Sequence, residues 1–369
     1  MTAIPVRCPG GEYEVVVEPG ILGSVGERCV GLLSGRRILM VVDSAVADTH
    51  AVQVEDSLVA GGFRVERCTV EADERRKTIE TIQDIYQAAL KAGLDRHDAI
   101  LGIGGGLTGD MAGFAAASYL RGIDLVTIPT TLLSMVDASV GGKTGVNLPL
   151  PGGDARLGKN LAGAFWQPRL VLADPLVLGT LDDRQRRCGL AECVKHGLID
   201  GPQLLDLIDA GLDAILDADP EAVASLVEHA VRIKVGVVQD DEREQGRRAV
   251  LNLGHTFAHA IEPIKPLDLL HGEAVSIGLV AAIGISGELG LLEGDWAADF
   301  IGRLERIGLP IRLPRTIATT ELIDRMGFDK KIRAGHHTLV VPIRPGHVEI
   351  VQDVPEAAIA GAWSSVGAD

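Results

Sequence analysis

The sequence predicts an α/β protein: an N-terminal doubly wound, Rossmann-like parallel sheet domain followed by a mainly α-helical C-terminal domain. Three observations carry that expectation. Strand-like and helix-like segments alternate from residue 37 to 128, as they do when parallel strands are joined by crossover helices. An apolar run over residues 99–103 breaks into three glycines, and Gly104, Gly106 and Gly109 meet the Gly-x-Gly-x-x-Gly spacing of a strand-to-helix turn. After Asp182 strand-like runs give way to helical ones until about residue 327, which places the domains at 1–182 and 183–369.

Composition agrees. A chain of 369 residues is long for one core and suits two. Aromatic residues are only 3% and glycines number 45, so the cores must be aliphatic and many turns tight. The formal net charge of −16 excludes a nucleic-acid binder, because phosphate backbones attract basic surfaces. An anionic small substrate would need a local basic pocket, for which Lys143, Lys159, Lys195, Arg248 and Lys331 are candidates. Cys8, Cys29, Cys68, Cys188 and Cys193 are scattered, odd in number and without a Cys-x-x-Cys, which suits reduced thiols in the cytoplasm. The start of the chain lacks the charged-then-apolar pattern of a secretory leader. The greasiest stretch, residues 274–285, is interrupted by glycine and too short to cross a membrane, so it reads as a buried helix.

Taken in order, Tyr13 to Glu18 alternates like a strand, and Ile21 to Leu33 reads as a helix closed by Gly35. Arg37 to Val42 is a β-rich run ending at Asp43, followed by a helix from about Ala45 to Ala60. A carboxylate at a strand's carboxyl end either accepts hydrogen bonds from a ribose or caps the next turn, and Asp43 is open to both readings. Phe63 to Val70 is a strand, Glu71 to Lys77 a charged loop, and Thr78 to Ala92 a helix stopped by Gly93. The glycine-rich turn follows, either cradling a phosphate or simply tight. A further strand, Asp124 to Ile128, ends at Pro129-Thr130-Thr131, and a polar loop carries Asp137 and Lys143. Residues 148–158 form a loop by composition, before a last strand from Leu170 to Asp174.

In the second half, Arg186 to Ile199 places Glu192, Lys195 and His196 on one helical face, as an intrahelical pair or as part of a site. Val223 to Val238 is an amphipathic helix with Lys234. His255 and His259 share a helical face, and His271 opens the next helix. Imidazoles from two helices with a carboxylate make a metal site one reading of this pattern and structural histidines the other. Near the end, strands from Thr338 to Ile343 and Val348 to Val351 precede a short helix, Pro355 to Trp363.

Nine blocks in fixed order now resemble the 3-dehydroquinate synthases, within the wider group of sugar phosphate cyclases. They are Gly104-Gly-Gly-Leu-Thr-Gly-Asp-Met-Ala-Gly-Phe, Ser118-Tyr-Leu-Arg-Gly, Pro129-Thr-Thr-Leu-Leu, Val136-Asp-Ala-Ser-Val-Gly-Gly-Lys-Thr, Gly158-Lys-Asn, Gly189-Leu-Ala-Glu-Cys-Val-Lys, Leu251-Asn-Leu-Gly-His-Thr, His271-Gly-Glu-Ala-Val and Asp329-Lys-Lys. The resemblance implies that Glu192, His255 and His271 bind a divalent cation, Zn2+ or alternatively Co2+, and that His259 faces the substrate. It implies NAD on Asp43, Glu74, Lys77, Gly105, Gly106 and Asp110, with Thr130, Thr131, Lys143, Lys159 and Thr180 completing the nucleotide site. Asp137, Lys143, Lys195, Arg248, Asn252 and His259 match catalytic positions. Asn160, Lys234 and one or both of Lys330 and Lys331 match further substrate contacts. Arg121 matches a residue that reaches the substrate of a neighbouring subunit, which implies a homodimer.

The chemistry implied is conversion of 3-deoxy-D-arabino-heptulosonate 7-phosphate to 3-dehydroquinate and phosphate. NAD is reduced and reoxidised within each turnover, on either side of phosphate elimination, before an intramolecular aldol step. The same resemblance takes in synthases of aminodehydroquinate, 2-epi-5-epi-valiolone and 2-deoxy-scyllo-inosose, and more distantly the metal-dependent glycerol dehydrogenases. Lys234, Arg248, Asn252, His259 and Lys331 suit a substrate with a carboxylate and favour the first activity. The chain departs from the family in a longer stretch between Lys143 and Lys159, in His196 where aromatic residues are frequent, and in the segment 333–337.

Overall fold

A computed structural model describes residues 1–150, 157–326 and 337–369. The chain forms two compact units, Met1–Leu181 with Asp217–Arg243, and Asp182–Leu216 with Glu244–Asp369. The single boundary expected at 182 therefore does not describe them: one helix of the helical half belongs to the first unit.

In the first unit the strands are β1 (Thr2–Cys8), β2 (Gly11–Val17), β3 (Arg37–Asp43), β4 (Arg64–Val70), β5 (Ala99–Gly104), β6 (Asp124–Pro129), β7 (Lys143–Pro149), β8 (Leu157–Phe165) and β9 (Leu170–Ala173). The main sheet runs β1-β2-β9-β6-β5-β3-β4, parallel except for β1, which pairs antiparallel with β2. β7 and β8 form a separate antiparallel hairpin. Every residue of β5 is buried, and all of β3 but Arg37, which is why they read as unbroken apolar runs and not as alternating ones. The parallel β-strands and crossovers are as expected, while β1 was not legible because its short alternating run carries a proline, Pro5, and the hairpin because its residues mix apolar, polar and glycine without a clean period of two.

The helices here are α1 (Val25–Val30), α2 (His50–Ala60), α3 (Ile79–Ala92) and α4 (Gly106–Ser118). The helix expected over Ile21 to Leu33 is a 3-10 turn, Ile21–Ser24, followed by the short α1. Thr78 caps α3, accepting from Thr81 N–H, and Gly93 ends it at φ 67°. Ile82, Ile85 and Ala89 of α3 pack with Met111, Ala112 and Ala115 of α4 against Leu39, Val41 and Ile100 of the sheet. Each fully buried branched side chain contributes about 1.5–3 kcal/mol to holding these layers. Buried Asp98 ties the strand starts together: its carboxylate accepts from Arg37 N–H at 3.0 Å and Asp95 N–H at 2.8 Å.

The second unit contains α5 (Asp183–Asp200) and α6 (Pro202–Leu216); α7 (Pro220–Asp240) packs with the first unit instead. It continues with α8 (His255–Ile261), α9 (His271–Glu288), α10 (Trp296–Ile307), α11 (Thr319–Met326), the hairpin β10 (Leu339–Arg344) and β11 (His347–Val351), and α12 (Glu356–Ser365). Residues 274–285 lie inside α9, which is buried almost all round and forms the axis of this unit. Among the described residues no helix is long and apolar enough to cross a membrane. Trp363 of α12 closes the core edge-on against Phe257, with ring centroids 5.0 Å apart.

Glycine sets how closely these helices meet. A β-carbon at Gly272 would collide with the carbonyl of Cys188 in α5, and one at Gly278 with the carbonyl of Gly254 just before α8. Three backbones thus converge where a larger residue would hold them apart.

Candidate metal centre and nucleotide site

In the second unit, Glu192 of α5, His255 at the start of α8 and His271 at the start of α9 come together, and one ligand atom from each lies within 4.8 Å of the others. His255 Nε2 is 3.5 Å and His271 Nε2 3.6 Å from the same Glu192 Oε1. The opposite nitrogens are anchored: His255 Nδ1 contacts the Leu253 carbonyl at 3.2 Å, and His271 Nδ1 lies 3.6 Å from Glu262 Oε1. An acceptor at Nδ1 fixes the tautomer that leaves Nε2 free to ligate, so the donor set fits a borderline-soft divalent cation with coordination positions left open.

Electrostatics divides the two imidazoles. Burial, reinforced by the Lys195 ammonium, holds His255 well below the ordinary histidine range and therefore neutral. For His271 burial also acts downward, but hydrogen bonds to Glu192 and Glu262 outweigh it and raise the ring to about 10. The Glu192 carboxylate, fully buried, pairs with the buried Lys195 ammonium and faces His271.

His259 stands beside the cluster, exposed, with its ring edge-on to His255 at 5.6 Å. The i, i+4 histidines therefore share a face without both joining the ligand group. Arg248 is buried, and the Asn252 side-chain amide donates to Glu244 in the same unit. His196 is buried on α5. Glu262 went unnoticed in the sequence, although it follows His255 by two helical turns and so returns to the same face.

In the first unit Asp43, Gly105 with Gly106, and Thr130 with Thr131 fall at the carboxyl ends of β3, β5 and β6, the usual ligand edge of a parallel sheet. A β-carbon at Gly104 would lie 2.7 Å from Cβ of Asp43 and 2.8 Å from Cβ of Thr108, so glycine is required where β5 turns into α4. Asp43 accepts from Ala45 N–H at 3.0 Å, the capping role that the sequence left open beside ribose recognition. Gly105 caps α4, Gly106 begins it, and Thr130 N–H donates to the Gly104 carbonyl at 2.9 Å. Thr131 Oγ1 accepts from Ser134 N–H at 3.1 Å. Thr180 lies farther along the chain, its hydroxyl 2.8 Å from His50 Nε2.

Lys77 is almost fully buried and pairs with Asp110 and with the Asn160 side-chain oxygen. Burial pushes the Asp110 carboxyl up, partly offset by this ammonium. The charged loop is therefore tied into the fold at Lys77, and Glu74 faces Lys159 at 4.0 Å. Asp137 sits on a single π turn, Ser134–Ala138, and Lys234 of α7 donates to its carbonyl at 2.5 Å and to its carboxylate at 2.6 Å. Lys143 opens β7 at the surface. Arg121 is exposed on a turn where Leu120, Arg121 and Gly122 have φ of 50°, 69° and 118°. Lys330 and Lys331 lie outside the described residues, as do 151–156 of the long loop and most of 333–337.

The fold is that of the sugar phosphate cyclases. It matches 2-epi-5-epi-valiolone synthase from Streptomyces hygroscopicus subsp. jinggangensis, solved with NAD+ and Zn2+ bound, at a TM-score of 0.87 and 29% identity over 98% of each chain. A 2-deoxy-scyllo-inosose synthase, 24% identical over 98% of this chain and 99% of its own, shares the fold at a TM-score of 0.88. Within this class, the model for the 3-dehydroquinate synthase N-terminal region matches residues 67–188 and that for the C-terminal region residues 189–332, and the chain belongs to the 3-dehydroquinate synthase family. It is 41% identical to 3-dehydroquinate synthase of Nostoc punctiforme over 96% of this chain and 97% of that one. With the enzyme of Caulobacter vibrioides it shares 40% identity over 99% of both.

Proposed function

We infer that the chain converts 3-deoxy-D-arabino-heptulosonate 7-phosphate to 3-dehydroquinate and inorganic phosphate, as a step of the shikimate route to aromatic amino acids. The observation that carries this reading is the Glu192, His255 and His271 cluster, with each imidazole anchored at Nδ1 and turned by Nε2 toward one carboxylate. Full-length identity of about 40% to 3-dehydroquinate synthases, against 29% to the valiolone synthase, selects the seven-carbon acid phosphate over the other sugar phosphates.

When bound, Zn2+ or Co2+ supplies a Lewis acid for the substrate's hydroxyl groups, and NAD supplies a reversible hydride acceptor, so that no net reductant is consumed. Glu192, His255 and His271 would hold the cation. His255, already neutral, would ligate without losing a proton, and Glu262 would keep His271 oriented. In the second unit Lys195, Arg248, Asn252 and His259 would bind and orient the substrate, their positive and amide groups offsetting charge that develops on oxygen. In the first unit Asp43, Glu74, Lys77, Gly105, Gly106, Asp110, Thr130, Thr131, Lys159 and Thr180 would hold the nucleotide. Asp137, Lys143, Asn160 and Lys234 would meet the sugar phosphate, joined by Lys330 or Lys331. Holding a flexible intermediate in a ring-closing geometry accounts for much of the remaining rate, because orientation removes the entropy of finding that conformation. Arg121, displayed on its left-handed turn, would serve the site of a second copy, giving a homodimer that works in the cytoplasm.

The test is phosphate release from 3-deoxy-D-arabino-heptulosonate 7-phosphate with catalytic NAD, with and without a chelator. Phosphate and carbocycle should form together with no net change at the nicotinamide absorbance band. Turnover of sedoheptulose 7-phosphate without activity on the acid would overturn the assignment, and stoichiometric NADH would point to a dehydrogenase.

A further inference from the structure

Asn147 is 1% exposed and lies at an irregularity in the hairpin. Val146 pairs with Ala162 and Leu148 with Gly158, so three residues, Lys159 to Leu161, stand opposite the single Asn147. Its backbone N–H and both ends of its carboxamide make hydrogen bonds outside the regular ladder pairing. Its backbone N–H donates to the Lys77 carbonyl at 2.8 Å. Its side-chain Nδ2 donates to the Glu74 carbonyl at 3.0 Å and to Glu74 Oε1 at 2.8 Å. Its Oδ1 accepts from Asn160 N–H at 2.9 Å, while the Asn160 side chain accepts from Lys77 Nζ. Asn160 itself has φ 51°, the left-handed region that asparagine enters more readily than other non-glycine residues, and the carboxamide of Asn147 accepts from its N–H there.

One buried carboxamide therefore clamps two stretches of chain. On the proposed function, Glu74 and Lys77 belong to the nucleotide and Lys159 and Asn160 to the nucleotide and substrate. We propose that Asn147 is a positioning residue that couples NAD binding to sugar phosphate binding. Ordering of segment 74–77 by the nucleotide transmits through the carboxamide to the backbone of Asn160 and sets the substrate-facing side chain; by linkage the substrate tightens NAD equally. Asn147 touches neither ligand and takes no part in bond making. This inference rests on the assignment of NAD and the sugar phosphate above.

The experiment measures the NAD dissociation constant with and without the phosphonate analogue of the substrate, whose carbon–phosphorus bond cannot eliminate, alongside kcat and KM. In the unaltered protein the analogue should lower the NAD constant by about tenfold, a coupling of ordinary size. Asn147→Ala should bring that ratio to within about threefold of one and raise KM about tenfold with kcat nearly unchanged, as expected when binding geometry and not chemistry is lost. Asn147→Asp keeps the acceptor for Asn160 but sets an oxygen against Glu74. It should weaken NAD while sparing KM, a split that general loosening of the fold would not produce. A ratio unchanged in Asn147→Ala, no coupling in the unaltered protein, or failure of both variants to fold would each overturn the positioning role. If the unaltered protein binds no NAD, the proposed function falls with it, whereas normal turnover with an unchanged ratio removes the positioning role alone.

Discussion

Lys234 Nζ lies 2.6 Å from Asp137 Oδ1, joining two residues 97 positions apart in the chain. The ammonium is nearly buried and the carboxylate about one-quarter exposed. The pair pins α7 to the π turn of the first unit, although α7 is flanked in sequence by helices of the second. Removing one partner leaves the other charge poorly solvated, so Lys234→Met should lower the stability of the first unit by about 1–3 kcal/mol. Chemical denaturation read by a first-unit probe such as Trp166 checks this, and Asp137→Asn in the Lys234→Met background should cost little more.

Metal binding should also be visible as stability. Zn2+ bound only to the native state adds stability by mass action, about 2.7 kcal/mol when free ion is a hundredfold above its dissociation constant. Chelation should therefore lower the melting temperature, and Glu192→Gln should abolish that response along with stoichiometric zinc. Metal analysis after gel filtration, together with melting curves, decides the matter. A variant that keeps full zinc content would remove Glu192 from the ligand set.

The close contact of Gly278 with the Gly254 carbonyl makes a different forecast. Gly278→Ala would force α9 away from the turn before α8, at a cost of about 3 kcal/mol or more, since the obstacle is backbone and not a flexible side chain. Because His255 follows Gly254 and His271 opens α9, zinc affinity should fall in step. Thermal melts and a competitive chelator titration measure both.

Asp209 carries the pH prediction. Burial acts to raise its carboxyl, but hydrogen bonds from Arg303 at 2.9 and 2.8 Å, with Arg306 behind them, prevail and hold it below the ordinary range. A carboxyl depressed on folding stabilises above its unfolded pKa, and that stabilisation disappears as pH falls through the folded value. Asp209→Asn should thus cost about 1–3 kcal/mol near neutrality, because nearly buried Arg303 loses its charged partner. The deficit should shrink at acid pH, where the native carboxyl is itself protonated. Denaturation of both proteins across the acid limb gives the comparison.

The sequence alone determined the elements with a strong local period or a distinctive local chemistry. The parallel strands β3 and β5 were readable as unbroken apolar runs, β6 as a short strand ending at Pro129-Thr130-Thr131, α9 as a buried helix, and the glycine turn after β5 as a strand-to-helix turn. The ligand trio was legible only through the ordered blocks that resemble a family, since spacing by itself paired His255 with His259 as readily as with His271. What the tertiary structure decided was which groups distant in the chain meet. Glu262 behind His271, Asn147 between Glu74 and Asn160, and the placement of α7 with the first unit depend on backbone approach and side-chain contact between different elements. No periodicity records such contacts, because the energy that selects them comes from packing and desolvation in the folded chain and not from the preferences of neighbouring residues.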